Sequence, residues 1–158
     1  MEGKKLTFNT SKCFVIHVGP RSDECCKWKV HNQEMKRTCS EKYLGDIVSN
    51  LGNSENIENR RKMGRKTISE ILSILKEVGI GSYYIKIGLV LRDAILKSKL
   101  LLNSDVWHNL TLKEISALEE VDKNYLRSIL RSHSKVANEC IFFEVGLLPL
   151  KYEIIKKS

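Results

Sequence analysis

Two sets of side chains in this sequence are of types that do chemistry. Cys25, Cys26, His31 and Cys39 fall within fifteen residues and are zinc-binding residue types. Their spacing does not make a knuckle or a finger, because there is no Cys-x-x-Cys pair and no His-x-x-x-His pair. They read as unrelated thiols around a hairpin, and Cys140, in an apolar helical stretch, reads as packing. Glu119 and Glu120, with Asp122, lie in a helical pattern where neighbours point in different directions. They read as solvated surface and helix pairing, not as a two-metal site. His17 and His108 flank apolar residues and read as structural. There is no glycine-rich phosphate loop and no nucleophile elbow. The residues alone give no catalytic centre, and no cofactor is expected in this chain.

The second set is basic. With 27 Lys and Arg against 19 Asp and Glu, the net charge is +8 and the isoelectric point is near 9.3. Such a balance points to an anionic partner, nucleic acid ahead of a membrane surface. Arg60, Arg61, Lys62, Arg65 and Lys66 crowd the first half of one helical pattern, against only Glu55 and Glu58. Arg127, Arg131, His133 and Lys135 form a second cluster. Each phosphate neutralised by such side chains would release counterions and make affinity salt-dependent. The plain alternative is a solubilising surface. Both clusters flank helix ends or turns and carry few acids, which favours nucleic acid.

The elements that would position these residues change character along the chain. Residues 13–19 are dense in β-branched and aromatic side chains and read as a strand stopped by Gly19-Pro20. Trp28, Val30 and Met35 around His31-Asn32-Gln33 suggest a small hairpin. Residues 43–49 read as one strand, with Gly45 as a bulge or a close backbone approach. From Ser54 the period becomes helical. Ile57, Gly64, Ile68, Ile71, Leu72, Leu75 and Val78 mark a first helix that Gly79 ends. Residues 83–102 form a second, apolar nearly all round. Thr111-Leu112-Lys113-Glu114 is a capping box opening a third, whose face carries Leu112, Ile115, Leu118, Val121, Asp122, Tyr125, Leu126, Ile129 and Leu130. Residues 134–145 suggest another helix, and Pro149 the first turn of a last. The class is α+β: a small N-terminal β-hairpin sheet, then a mainly helical bundle. A strand part of about fifty residues is small for an independent fold, so something else should complete its sheet.

Several of these segments resemble, in order, the distal part of a non-LTR (LINE-like) retrotransposon reverse transcriptase. The likeness runs from about Leu6 to Lys157. Asn9-Thr10-Ser11-Lys12-Cys13 and the strand after it are similar to the strand that follows the catalytic palm hairpin. Glu41-Lys42-Tyr43-Leu44-Gly45 resembles the "YLG" primer-grip strand, and residues 57–65 the first thumb helix. Leu102-Asn103-Ser104-Asp105-Val106-Trp107, then Leu118-Glu119-Glu120-Val121-Asp122 through Leu126-Arg127, then Glu144-Val145-Gly146-Leu147-Leu148-Pro149-Leu150 resemble the segments that follow.

The resemblance implies a palm edge over residues 6–53 and a thumb-like bundle over residues 54–158. It implies that Tyr43, Leu44 and Gly45 position a primer end, with Lys12 and Lys42 beside them. Phosphates would be held by Arg60, Arg61, Arg65 and Lys66, and by Arg127, Arg131 and Lys135. The implied partners are an RNA–DNA template–primer duplex and the fingers and remaining palm of a longer polyprotein, with no membrane. The family's reaction needs aspartates that hold two magnesium ions, and nothing before Leu6 could supply them. The expectation is therefore a fragment or degenerate copy that binds duplex without polymerising. The alternatives are a helical interaction or adaptor module with incidental charge, and a coding remnant without function. No apolar run is long enough to span a membrane and no signal core precedes Leu6. With an odd cysteine count, this suggests an intracellular protein of the nucleus or cytoplasm.

Overall fold

A computed structural model of the chain describes residues 9, 12–18, 27–30, 32–79, 83–107, 109–133 and 135–157. The fold is α+β, with short strands in small sheets followed by helices. Two compact units divide it, residues 1–53 and residues 54–158. Among the described residues no helix is long and apolar enough to cross a membrane.

In the first unit the strands pair two by two. β1 (Phe14–Val15) lies parallel to β4 (Lys36–Arg37). Only these two residues of the expected 13–19 strand are in a ladder, and Gly19-Pro20 lies outside the described residues. β2 (Lys29–Val30) and β3 (Gln33–Glu34) form the expected hairpin. The single strand expected over residues 43–49 is instead a hairpin of β5 (Ser40–Tyr43) and β6 (Asp46–Ser49), with Tyr43 opposite Asp46. Leu44 and Gly45 are its two-residue loop, at φ of 49° and 92°. Two successive positive φ values define the turn whose twist matches paired strands. Gly45 is there for that turn, not for a bulge.

The second unit is built on α1 (Ser54–Val78) and α4 (Leu112–Leu130). Ile71 and Leu75 from α1 meet Leu118, Val121, Tyr125 and Ile129 from α4, with Ile141, Leu150 and Ile154 from the C-terminal helices α5 (Asn138–Glu144) and α6 (Leu150–Lys157) completing the core. Between α1 and α4 the chain runs through α2 (Tyr84–Leu91), a π-helical segment (Arg92–Lys97) and α3 (Ser98–Leu100). Gly88, Arg92, Leu96 and Leu100 are all buried, at a constant spacing of four. An α-helix would drift about 40° at each such step. The wider π turn takes up this drift and keeps one face inward.

The capping box opens α4 as its sequence predicts. The Thr111 hydroxyl accepts from the Glu114 backbone N–H at 3.2 Å, and the Thr111 N–H donates to the Glu114 carboxylate at 2.8 Å. The Ser54 hydroxyl donates to the same carboxylate at 3.0 Å, joining the start of α1 to the start of α4. Partial burial disfavours the charged carboxylate, but the hydrogen bonds from Thr111 and Ser54 outweigh it and hold the Glu114 pKa below its ordinary 4.5. A lowered folded-state pKa gives stability that is complete above the ordinary value and is lost as pH falls through the folded one. Glu114→Ala is therefore expected to cost about 1 kcal/mol at neutral pH. Melts of the two proteins should converge as pH drops below 4.5, and a gap that persisted in acid would exclude the carboxylate as its source.

Candidate nucleic-acid interface

The first unit gathers expected binding residues from distant parts of its sequence. Lys12, Lys42 and Tyr43 line one cavity of about 670 Å³, with Phe14, Ile16 and Val48 as its apolar wall and Glu41 at its rim. Cys13 also faces it, its thiol donating to the Asn9 carbonyl at 3.3 Å. Tyr43 and Leu44 are 68% and 76% exposed, so neither side chain is needed to hold the hairpin. Leu44 holds a left-handed backbone that asparagine or glycine adopts at less cost. The cavity therefore presents an aromatic ring, two ammonium groups and one carboxylate.

In the second unit, α1 divides its cations between two faces. The expected basic face included Arg60, and the structure removes it. Ile57, Arg60, Gly64, Thr67, Ile71 and Leu75 recur at helical spacing and form the inward stripe. Arg60 is fully buried there, donating from Nη1 to the Lys99 carbonyl at 3.3 Å. Arg61 is also engaged, with Glu58 at 2.8 Å and Glu120 at 3.4 Å. Lys62, Arg65 and Lys66 point outward. Lys66 is 4.0 Å from Glu70, and the side chains of Lys62 and Arg65 form no ion pair among the described residues. Lys76 extends the exposed row two turns beyond Ser69.

The second expected cluster separates in the same way. The Arg127 guanidinium donates to the carbonyls of His133 and Val136 at 3.0 and 2.7 Å, and to Asn138 Oδ1 at 2.9 Å. It ties down the connection from α4 to α5, so its role is structural. Arg131 ends α4 at φ 51° and lies over the Tyr84 ring, 5.7 Å from the centroid. Lys135 is exposed, and its backbone N–H donates to His133 Nδ1 at 3.3 Å.

Of the three acidic residues, Glu120 is on the surface as expected, while Glu119 and Asp122 are buried. Asp122 is fully buried, and Arg92 grips it with Nε to Oδ1 at 2.7 Å and Nη2 to Oδ2 at 2.6 Å. Nη1 of Arg92 also reaches Asp93 at 2.9 Å. Burial works against the Arg92 charge, but the Asp122 hydrogen bonds and charge prevail and raise its pKa. Close by, the Tyr125 hydroxyl donates to the Gly88 carbonyl at 2.7 Å. Burial raises the Tyr125 pKa far above the phenolic range, with the nearby Tyr84 and Asp122 adding to the effect. Glu119 is also buried and pairs with Lys123 at 2.7 Å. One signal for the Arg92–Asp122 pair was present in the sequence: a carboxylate on the apolar stripe of α4 requires a buried cation.

The described residues contain no group of three His, Cys, Asp or Glu able to hold a metal ion. Cys140 is exposed and not packed as expected. Cys39 is exposed too, while Cys25, Cys26, His31 and His108 lie outside the described residues. Comparison with known proteins returned no matching family model, no matching curated protein and no matching solved structure.

Proposed function

We propose that this chain binds the sugar–phosphate backbone of an RNA–DNA template–primer duplex, as the palm edge and thumb of a non-LTR reverse transcriptase do. It is read as a fragment or degenerate copy of that polymerase, acting inside the cell in the nucleus or cytoplasm. The main support is the outward row of Lys62, Arg65 and Lys66 on α1, of which Lys66 alone is within ion-pair distance of an acid, at 4.0 Å, among the described residues. Phosphate contacts of this kind position a duplex without reading its sequence. Arg131 and Lys135 add exposed charge at the far end of α4. The cavity holding Lys12, Lys42 and Tyr43 suits a strand end, with Leu44 and Gly45 at the hairpin tip. The sequence has no Asp-Asp pair, so the reading is one of binding without polymerisation.

Filter binding of an RNA–DNA hybrid across a salt series tests it. The wild-type affinity should fall steeply with salt. Lys62→Gln/Arg65→Gln/Lys66→Gln should reduce the log–log slope by about 0.9 for each phosphate no longer neutralised, the scale set by B-form duplexes. Lys151→Gln/Lys156→Gln on α6 should leave it unchanged. An affinity indifferent to salt, or one that the α1 variant does not alter, would reject duplex holding. Exposed Phe143, Leu148 and Ile155, at 88%, 68% and 58%, favour the adaptor reading in that outcome.

A further inference from the structure

We propose a second nucleic-acid site on the β2–β3 hairpin, where Trp28 stacks on the base of a single strand and Lys36 and Arg37 hold its phosphates. This rests on the duplex-holding reading only for the ligand class; the residues are different ones.

A second groove, of about 450 Å³, lies in the first unit. Phe14 lines the larger cavity and its neighbour Val15 lines this groove, so β1 contributes to both. Val15, Met35 and the Trp28 indole give the groove its apolar surface, and Lys27, Lys36 and Arg37, with the one carboxylate of Glu34, complete its lining. Trp28 is 60% exposed, although an indole gains much from burial. Its backbone is nevertheless fixed. The Met35 N–H donates to the Trp28 carbonyl at 2.8 Å, one step beyond the Lys29–Glu34 pair of the ladder. The ring is thus carried next to a short hairpin.

The charge around it is unbalanced. Lys27 has Glu34 at 3.7 Å, and the side chains of Lys36 and Arg37 form no ion pair among the described residues. An open aromatic face beside more cations than acids matches a base and its phosphates. The base must be unstacked, because a duplex hides its base faces. The site is therefore for single-stranded nucleic acid. An anionic membrane would also meet tryptophan and cations, but it calls for a surface able to lie in an interface. A concave groove suits one inserted group.

The two tryptophans make the test direct. Trp28 is open and Trp107 is only 3% exposed, so single-stranded oligothymidylate should quench the solvent-exposed emission and leave the buried component. Trp28→Phe should abolish the quench. Trp28→Ala should weaken binding of a labelled oligothymidylate roughly 5- to 150-fold by anisotropy. Lys36→Gln/Arg37→Gln should lower the salt slope by about 1.4, at about 0.7 for each phosphate held on a single strand. An oligonucleotide that leaves Trp28 emission unchanged overturns the site, and so does quenching that persists in Trp28→Phe. Anionic phosphatidylserine vesicles that quench Trp28 where the oligonucleotide does not would assign the groove to a membrane and overturn it as well. The hybrid-binding assay on the α1 variant is read separately, so this site can fail while duplex holding stands, and the reverse.

Discussion

Asp122→Ala is expected to destabilise the helical unit by about 3–5 kcal/mol, the usual loss when one partner of a buried ion pair is removed. Neither side chain of the Arg92–Asp122 pair is more than 1% exposed, and both carboxylate oxygens accept from the guanidinium. Without Asp122, the remaining direct ion pair of Arg92 among the described residues is with Asp93, whose side chain is half exposed. At roughly 4–8 °C per kcal/mol for a unit of this size, the thermal midpoint should drop by more than about 12 °C. Asp122→Asn should lie between, since it retains one acceptor. Arg92→Met/Asp122→Leu should melt close to wild type, because apolar replacements of similar volume remove the desolvation of both charges together. Circular dichroism melts of the four proteins check the order. An Asp122→Ala protein that melts with wild type would show that the pair contributes nothing to stability.

That pair also shows where reading one sequence stops. The helices were legible because their signals are local. Ile71 and Leu75 with Gly79 after them, Thr111 three residues before Glu114, and Pro149 ahead of Leu150 each act within a turn or two of helix. Arg60 is misplaced when residue type outweighs period. It follows Ile57 by three and precedes Gly64 by four, so the helix must turn it inward. Asp122 shares its stripe with Leu118 and Tyr125, yet its partner is thirty residues away and no local pattern connects them. The β5–β6 turn was hidden by composition. Asn-Gly is the usual signature of such a loop, and Leu44-Gly45 resembles the middle of an apolar strand. In Cys140-Ile141-Phe142-Phe143 the run is apolar throughout, but only Ile141 and Phe142 are buried. Lys12, Lys42 and Tyr43 share a cavity through the tertiary arrangement of their unit, which spacing alone does not encode.

The largest steric effect is expected at Gly64, in the middle of α1. A Cβ there would sit 2.7 Å from Leu100 Cδ2 and 2.9 Å from Val121 Cγ1. Alanine in place of glycine normally favours a helix by about 1 kcal/mol, while overpacking costs typically about 1–3 kcal/mol. Leu100 and Val121 are both buried, and the β-branched Val121 has little rotamer freedom with which to yield. Gly64→Ala should therefore be destabilising despite its better propensity. Ser73→Ala, on the exposed side of the same helix, should be slightly stabilising. Gly64→Val brings two further methyl groups into the contact, so α1 must move away from α3 and α4, at an expected loss of roughly 3 kcal/mol or more. Urea midpoints of the three variants decide it, and a Gly64→Val protein that unfolds at the wild-type midpoint would show that the helices have room to separate.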